Sequence, residues 1–347
     1  RTICARLMND RFALCLPREE FDEQRVADSI KELQREFTGN SFHLHMYMGV
    51  YEIRDRDEDV SIMVDKANIA ADTIKNNYDC FVAYYDEHLL EISIEQRRLL
   101  GEFEPALQKD EFVMYLQPQV NRNGVARGAE ALVRWAHPSR GIMTPYAFID
   151  ILENAGLIYK LDLYIWEKAA QKLAEWKEKG YGSYHISVNI STKDFYIIDI
   201  YETFTGLINK YGIAASNLHL EITEKTLMTD FEKNMNIIHK LQDVGFRVEI
   251  DDFGSGYSSL NMLKDISADV LKIDMGFLRK SENEVKGQDI LESIITLAGK
   301  IGMDVITEGV ETKKQLDMLT MMGCHEFQGY YFSKPVPVSE FEEKYLV

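Results

Sequence analysis

Cysteine is scarce in this chain of 347 residues: Cys4, Cys15, Cys80 and Cys324 are the only four, and no two form a CxxC pair. That excludes a cysteine framework for zinc or disulfides and points to a reduced, cytoplasmic setting. No run of 18 apolar residues occurs, so no membrane span or membrane contact is read. The amino end has no signal-like pattern. The chain opens on Arg1, which leaves room for an upstream sensor or membrane segment. Positive charge is in deficit, with a net charge of −18. A DNA or RNA duplex is therefore not an expected partner. An anionic substrate would need bound cations, or local Arg and Lys, to offset repulsion. A glycine-rich dinucleotide turn after an early strand is also missing, which demotes a doubly wound open sheet to second choice.

What is present suits a folded protein of two domains: 46% apolar and 28% charged residues. Residues 1–90 read as a small α+β unit. RTICARL and FALCLP form two strands joined near Asn9, helices cover 18–37 and 60–75, and strands lie in HLHMYMGVYEI and FVAYYD. Residues 91–110 have helical spacing and form a linker. Over residues 111–347 the rhythm changes to strand, helix, strand. Eight strands are predicted at 112–118, 127–134, 185–190, 218–223, 247–252, 270–274, 304–308 and 326–331, with helices ending near Gly180, Gly212, Gly245 and Gly302. This is the size of a (β/α)8 TIM barrel. The first two strands are too close for a helical crossover, so the first is expected to run antiparallel in a modified barrel.

Seven of these strands each carry a polar residue near the carboxyl end: Glu130, Asn189, Glu221, Asp251, Lys272, Glu308 and Gln328. Isolated acids inside apolar strands are costly unless something binds them. In a barrel all seven would converge on one mouth. With Glu224, Asp252 and Glu311 the region holds seven carboxylates, which cannot all stay ionised without cations. Oxygen ligands and one amide suit magnesium or manganese. Two ions roughly 4 Å apart would allow in-line attack on a phosphodiester. Lys272 and Arg134 add positive charge. Singly, each residue has an ordinary reading. Asp251-Asp252 could cap a helix near Gly256, and Lys272 could be an edge lysine. Their recurrence on successive strands favours a shared site. His137 reads as structural.

EALVRWAHP, with Glu130-Ala131-Leu132, resembles the signature of the EAL-domain cyclic di-GMP phosphodiesterases. YLQPQV, SVNIS, LEITE, IDDFGSGYSSL, LKID, EGVET and QGYYFSKP extend the match in order to the end of the chain. The resemblance implies cleavage of cyclic di-GMP to linear pGpG with two Mg2+ or Mn2+ ions. It implies Glu130, Asn189, Glu221, Asp251, Asp252 and Glu308 as metal ligands. Lys272 would hold the hydrolytic water. Arg134 would meet a substrate phosphate and Gln117 a guanine edge, with Asp274, Gln328, Glu224 and Glu311 in support. The loop Phe253 to Leu260 is linked in the family to metal binding and to a homodimer through the barrel. Departures are mild: Ser255 for the more usual Thr, Gln119 where an apolar residue is common, and Thr307 before Glu308.

Residues 1–90 resemble the later part of a GGDEF domain, the diguanylate cyclase fold. Met8-Asn9-Asp10-Arg11-Phe12 stands at the signature, without its two glycines and with Arg11 at the metal-binding Glu position. No cyclase activity is expected of it. Two readings other than an active phosphodiesterase stay open: a catalytically silent cyclic di-GMP receptor, and a signalling scaffold.

Overall fold

The computed structural model describes residues 2–8, 10–37, 45–75, 77, 80–253, 266–276 and 284–346. Ser255 and most of the loop Phe253 to Leu260 lie outside them, as does Asn9. The chain divides into two compact units, Arg1–Gly101 and Glu102–Val347. The division falls inside the helix Glu87–Gln108, which covers most of the expected linker.

In the first unit, β1 (Ile3–Met8) and β2 (Arg11–Cys15) form an antiparallel hairpin with Ile3 opposite Cys15. A second sheet pairs β3 (Met48–Val50) with β4 (Val82–Tyr84) in parallel. The strand expected across HLHMYMGVYEI is thus confined to three residues. The helical segment expected from Arg18 is split into a 3-10 turn, Arg18–Glu20, and an α-helix, Glu23–Phe37. Asp22 accepts a hydrogen bond from the Arg25 N–H at 3.1 Å and so satisfies an otherwise orphaned donor of the first turn. Ile30, Phe81 and Val82 make the small core, flanked by Phe21 and Val26.

The second unit is a closed barrel. Its strands are β5 (Phe112–Asn121), β6 (Ala126–His137), β8 (His185–Ile190), β9 (Leu218–Thr223), β10 (Val248–Phe253), β11 (Val270–Asp274), β12 (Asp304–Glu308) and β13 (Glu326–Phe327). The short β7 (Gly141–Met143) pairs with β6, and β14 (Val336–Pro337) pairs with β5. β5 runs antiparallel to both β6 and β13, closing the ring; within the ring the other neighbours pair in parallel, and the short β7 and β14 pair antiparallel outside it. This is the modified barrel that the close spacing of the first two strands predicts. The last strand is shorter than expected: the chain turns after Phe327, and the Val310 N–H bonds the Gln328 carbonyl at 3.2 Å.

Strands buried on both faces explain the near-continuous apolar runs HISVNI, LHLEIT and VLKID. Gly212 and Gly245 end their helices in the left-handed conformation at φ 61° and 107°, which a residue without Cβ adopts without strain. Aromatic side chains fill the layer between strands and helices. Phe112 packs on Trp135 at 4.7 Å between ring centroids and on Phe148 at 5.7 Å, and Trp166 packs on Phe204 at 4.5 Å. His137 proves structural: the Ser139 N–H bonds its Nδ1 at 3.2 Å, and its Nε2 meets Glu102 at 2.9 Å. No helix among the described residues is long and apolar enough to cross a membrane.

Candidate active site at the carboxyl end of the barrel

Side chains along a strand alternate between faces, so one polar residue per strand at matching height can meet inside a barrel. All seven strand-end residues do meet. At their centre is Lys272, 0% exposed, from β11. Its Nζ lies 2.7 Å from Glu308 Oε1, 2.8 Å from Glu221 Oε2, 3.4 Å from Glu130 Oε2 and 3.6 Å from Asp251 Oδ1. These four acids come from four different strands. Glu130 is braced from both sides. Asn189 Nδ2 donates to its Oε1 at 3.1 Å, and Gln328 Nε2 donates to its Oε2 at 2.5 Å. Gln328 Nε2 also reaches Gln117 Oε1 at 3.3 Å, and Gln117 Nε2 donates to the Ser333 carbonyl at 3.3 Å.

The charges do not balance. One ammonium faces four carboxylates. Burial works against the Lys272 charge, but Asp251, Glu130, Glu221 and Glu308 together outweigh it and hold its pKa well above the usual lysine range. In its protonated form Lys272 is a hydrogen-bond donor that can orient and polarise a neighbouring group. Burial pushes the carboxyls of Glu221, Asp251 and Glu308 up, with neighbouring acids adding to the rise and Lys272 opposing it. Glu221 Oε1 is buried without a hydrogen-bond partner. An excess of acid oxygens, one of them orphaned, with the exposed amide of Asn189 beside them, fits hard divalent cations.

The other expected residues lie on or just after the strands that carry the cluster. Asp252 follows Asp251 with a left-handed φ of 55°, and its N–H donates to Asp251 Oδ1 at 2.8 Å. Asp274 accepts from the Gly276 N–H at 2.7 Å and sits opposite Glu308 in the β11–β12 register. Glu224 opens the helix Glu224–Thr229, which the Thr223 side chain caps. Glu311 donates its N–H to Gln315 Oε1 at 2.9 Å. Arg134 is half-buried over the Tyr115 ring at 5.5 Å and donates to the Val133 carbonyl at 2.8 Å. Burial lowers its pKa, opposed by Tyr115, Tyr330 and Glu130.

Residues 101–335 match the EAL domain family. The chain belongs to this family. Its EAL barrel is similar to the solved structure described as the PaMucR phosphodiesterase in complex with c-di-GMP. That likeness has a TM-score of 0.67 and 33% identity over 70% of this chain and 99% of that one. Along the sequence, the bifunctional diguanylate cyclase/cyclic di-GMP phosphodiesterase MucR of Pseudomonas aeruginosa is 31% identical over 97% of this chain and 50% of its own length. The cyclic di-GMP phosphodiesterase PdeR of Escherichia coli is 33% identical over 69% of this chain and 36% of its own. The chain thus spans about half, or less, of the length of these curated relatives.

The EAL barrel also holds a second polar layer that the strand-end reading misses. His185 and Ser187 on β8, His219 on β9 and Glu249 on β10 precede the site residues by an even number of positions, and Gln119 follows Gln117 by two on the antiparallel β5. They therefore face the same interior. Glu249, 0% exposed, meets His219 Nδ1 at 2.5 Å. Burial alone would raise its carboxyl, but the His219 bond and the charges of His219 and Lys272 bring it down to about 2. The signal was legible: HISVN, HLE and EID each place polar residues two apart, the strand period.

Proposed function

We propose that this chain hydrolyses cyclic di-GMP to linear pGpG with Mg2+ or Mn2+ in the barrel mouth. The observation that carries the reading is Lys272, a buried ammonium within 3.6 Å of carboxylates from four strands at the carboxyl end of an EAL barrel. Glu130, Asn189, Glu221, Asp251, Asp252 and Glu308 are the residues that would hold two ions. Bound there, the ions would neutralise the phosphate and make water a better nucleophile. Lys272 keeps its proton and, with Glu308, orients that water toward phosphorus. The water adds to phosphorus, one P–O3′ bond breaks, and its proton leaves with the freed 3′ oxygen. Arg134 faces the phosphate, Gln117 the guanine edge, and Gln328, Asp274, Glu224 and Glu311 hold the frame.

Arg134→Ala is expected to raise KM about tenfold or more with a smaller change in kcat, as loss of a charge-assisted contact present in both ground and transition states. Initial rates of pGpG release, followed by chromatography with Mg2+ and Mn2+, check this and test the reading itself. Binding of cyclic di-GMP with no pGpG would favour the receptor reading instead.

The acid excess gives a stability signature. Without divalent ions, the folded chain retains protons on Glu221, Asp251 and Glu308 that the unfolded chain has already released. These folded pKa values are raised, so stability falls as pH climbs from the ordinary carboxylate range through the raised values. Mg2+ or Mn2+ should therefore raise the melting temperature more at pH 8 than at pH 5. Equal shifts in thermal scans at the two pH values would contradict this placement of the ions.

The first unit is read as the remnant of a GGDEF-like domain. The match of MucR, named for both activities, over 97% of this chain supports that. Arg11, at the position of the metal-binding acid, lies 3.9 Å from Asp72, and we assign this unit no cyclase activity. We place the barrel in the cytoplasm and pair two barrels as a homodimer.

A further inference from the structure

We infer that His185, His219 and Glu249 form a second metal site, at the amino end of the barrel strands, that takes one transition-metal ion of the Zn2+ class. It is separate from the mouth: His219 precedes Glu221, and Glu249 precedes Asp251, by two residues, while His185 precedes Asn189 by four. At ~3.3 Å per residue the site lies roughly 7–13 Å below the acidic layer.

One donor atom from each of the three residues lies within 4.8 Å of the other two. Two imidazoles and a carboxylate are the ligand set of Zn2+ and its first-row neighbours, whereas Mg2+ favours oxygen alone. The outer partners are in place. His185 Nε2 meets Gln119 Oε1 at 2.7 Å, and His219 Nε2 meets the Ser216 carbonyl at 3.2 Å. Both partners accept, so each ring carries a proton on Nε2, as metal-binding histidines are commonly held; His185 offers Nδ1 inward, while His219 Nδ1 shares a further proton with Glu249 Oε1. Gln119 Nε2 donates in turn to Ser187 Oγ at 3.1 Å. This gives the polar residue at an ordinarily apolar position a task.

Two further observations point to a missing ligand. Glu249 Oε2 is buried with no hydrogen-bond partner. The imidazoles of His185 and His219 stack at 3.9 Å between centroids and 3° between planes. Gly128 makes room for this: a Cβ there would collide with the His185 ring. Burial, then the His219 charge, push the His185 pKa down to about 3, so its lone pair is free at neutral pH. Arg127 and Arg247 stand nearby, but each is paired, with Glu326 at 3.5 Å and Asp304 at 2.5 Å. His219 is 4% exposed and His185 more so. An ion would replace the proton bridging Glu249 Oε1 and His219 Nδ1, releasing it to solvent. One of the parallel rings must tilt for both lone pairs to meet it.

The test uses the whole chain, stripped with chelator and held in excess Mg2+ so that the mouth is filled. Zn2+ is added and bound metal is measured by equilibrium dialysis. One Zn2+ per chain is expected, with His185→Gln and Glu249→Gln each weakening it by about 100-fold, at least the loss seen for outer-shell partners. X-ray absorption on the zinc-loaded parent should show two imidazoles. No zinc bound in excess Mg2+, or an all-oxygen shell, would overturn the site, and neither result bears on cyclic di-GMP hydrolysis.

Discussion

Lys272→Ala should abolish measurable hydrolysis of cyclic di-GMP, a fall of roughly 10²–10⁴-fold, the usual weight of a positioned proton-bearing group. Among the described residues the ammonium is the one cation paired with these acids, and it meets Glu130, Glu221, Asp251 and Glu308 at once. In the proposed mechanism its removal deprives the water of its orienting donor. It also leaves four acids facing each other, with Glu221 fully buried. Breaking a buried pair typically costs about 3–5 kcal/mol. Here part of that cost is avoided because the acids can take up protons. The variant should therefore melt well below the parent at pH 8 and closer to it at pH 5, where Glu221, Asp251 and Glu308, whose carboxyls are pushed up by burial, take up protons more readily. Retained turnover in a folded variant would remove Lys272 from the mechanism. Turnover is read as pGpG formation, folding as circular dichroism.

Trp176→Ala should lower stability by about 3–5 kcal/mol, the usual range for a fully buried aromatic. For a unit of this size that corresponds to a melting point lower by about 6–20 °C. Trp176 is 0% exposed and stacks on Phe341 of the last helix, Val338–Tyr345, at 5.6 Å and 17°. Its Nε1 also donates to Glu342 Oε1 at 2.9 Å, and Lys172 Nζ lies 3.3 Å from the same oxygen. Truncation would leave a cavity and strand the Glu342 carboxylate without its indole donor. Below the new melting point, kcat should be unchanged, because none of these residues reaches the mouth. A melting point within about 2 °C of the parent would mean that the last helix is held by other contacts.

Much of the barrel was legible because parallel strands buried on both faces leave short apolar runs bounded by helix-ending glycines. Strands at 185–190, 218–223, 270–274 and 304–308 emerged with those bounds. The seven converging residues were legible for the same reason: a charge in such a run needs a common solution. What sequence could not supply was height. Whether His219 and Glu249 belong to the mouth or to a layer beneath it depends on strand register and on the stagger of the closed ring. The same limit applies at 326–331, where backbone bonds to Thr307 and Val310 end the strand early. Nor could sequence show that Glu224 would open a helix, since Thr223 looks like strand until its hydroxyl caps the turn.

Asp252 carries a consequence for how this barrel can vary. Its φ of 55° lies where side chains other than glycine, asparagine and aspartate are strained. With the metal-ligand role proposed above, backbone shape and ligand chemistry narrow the choice at this position independently, and aspartate satisfies both. Asparagine would keep the turn and forfeit the charge; glutamate would keep the charge and strain the turn. The two demands can be separated by experiment, which makes position 252 a place where loss of an ion and loss of local shape need not be confused.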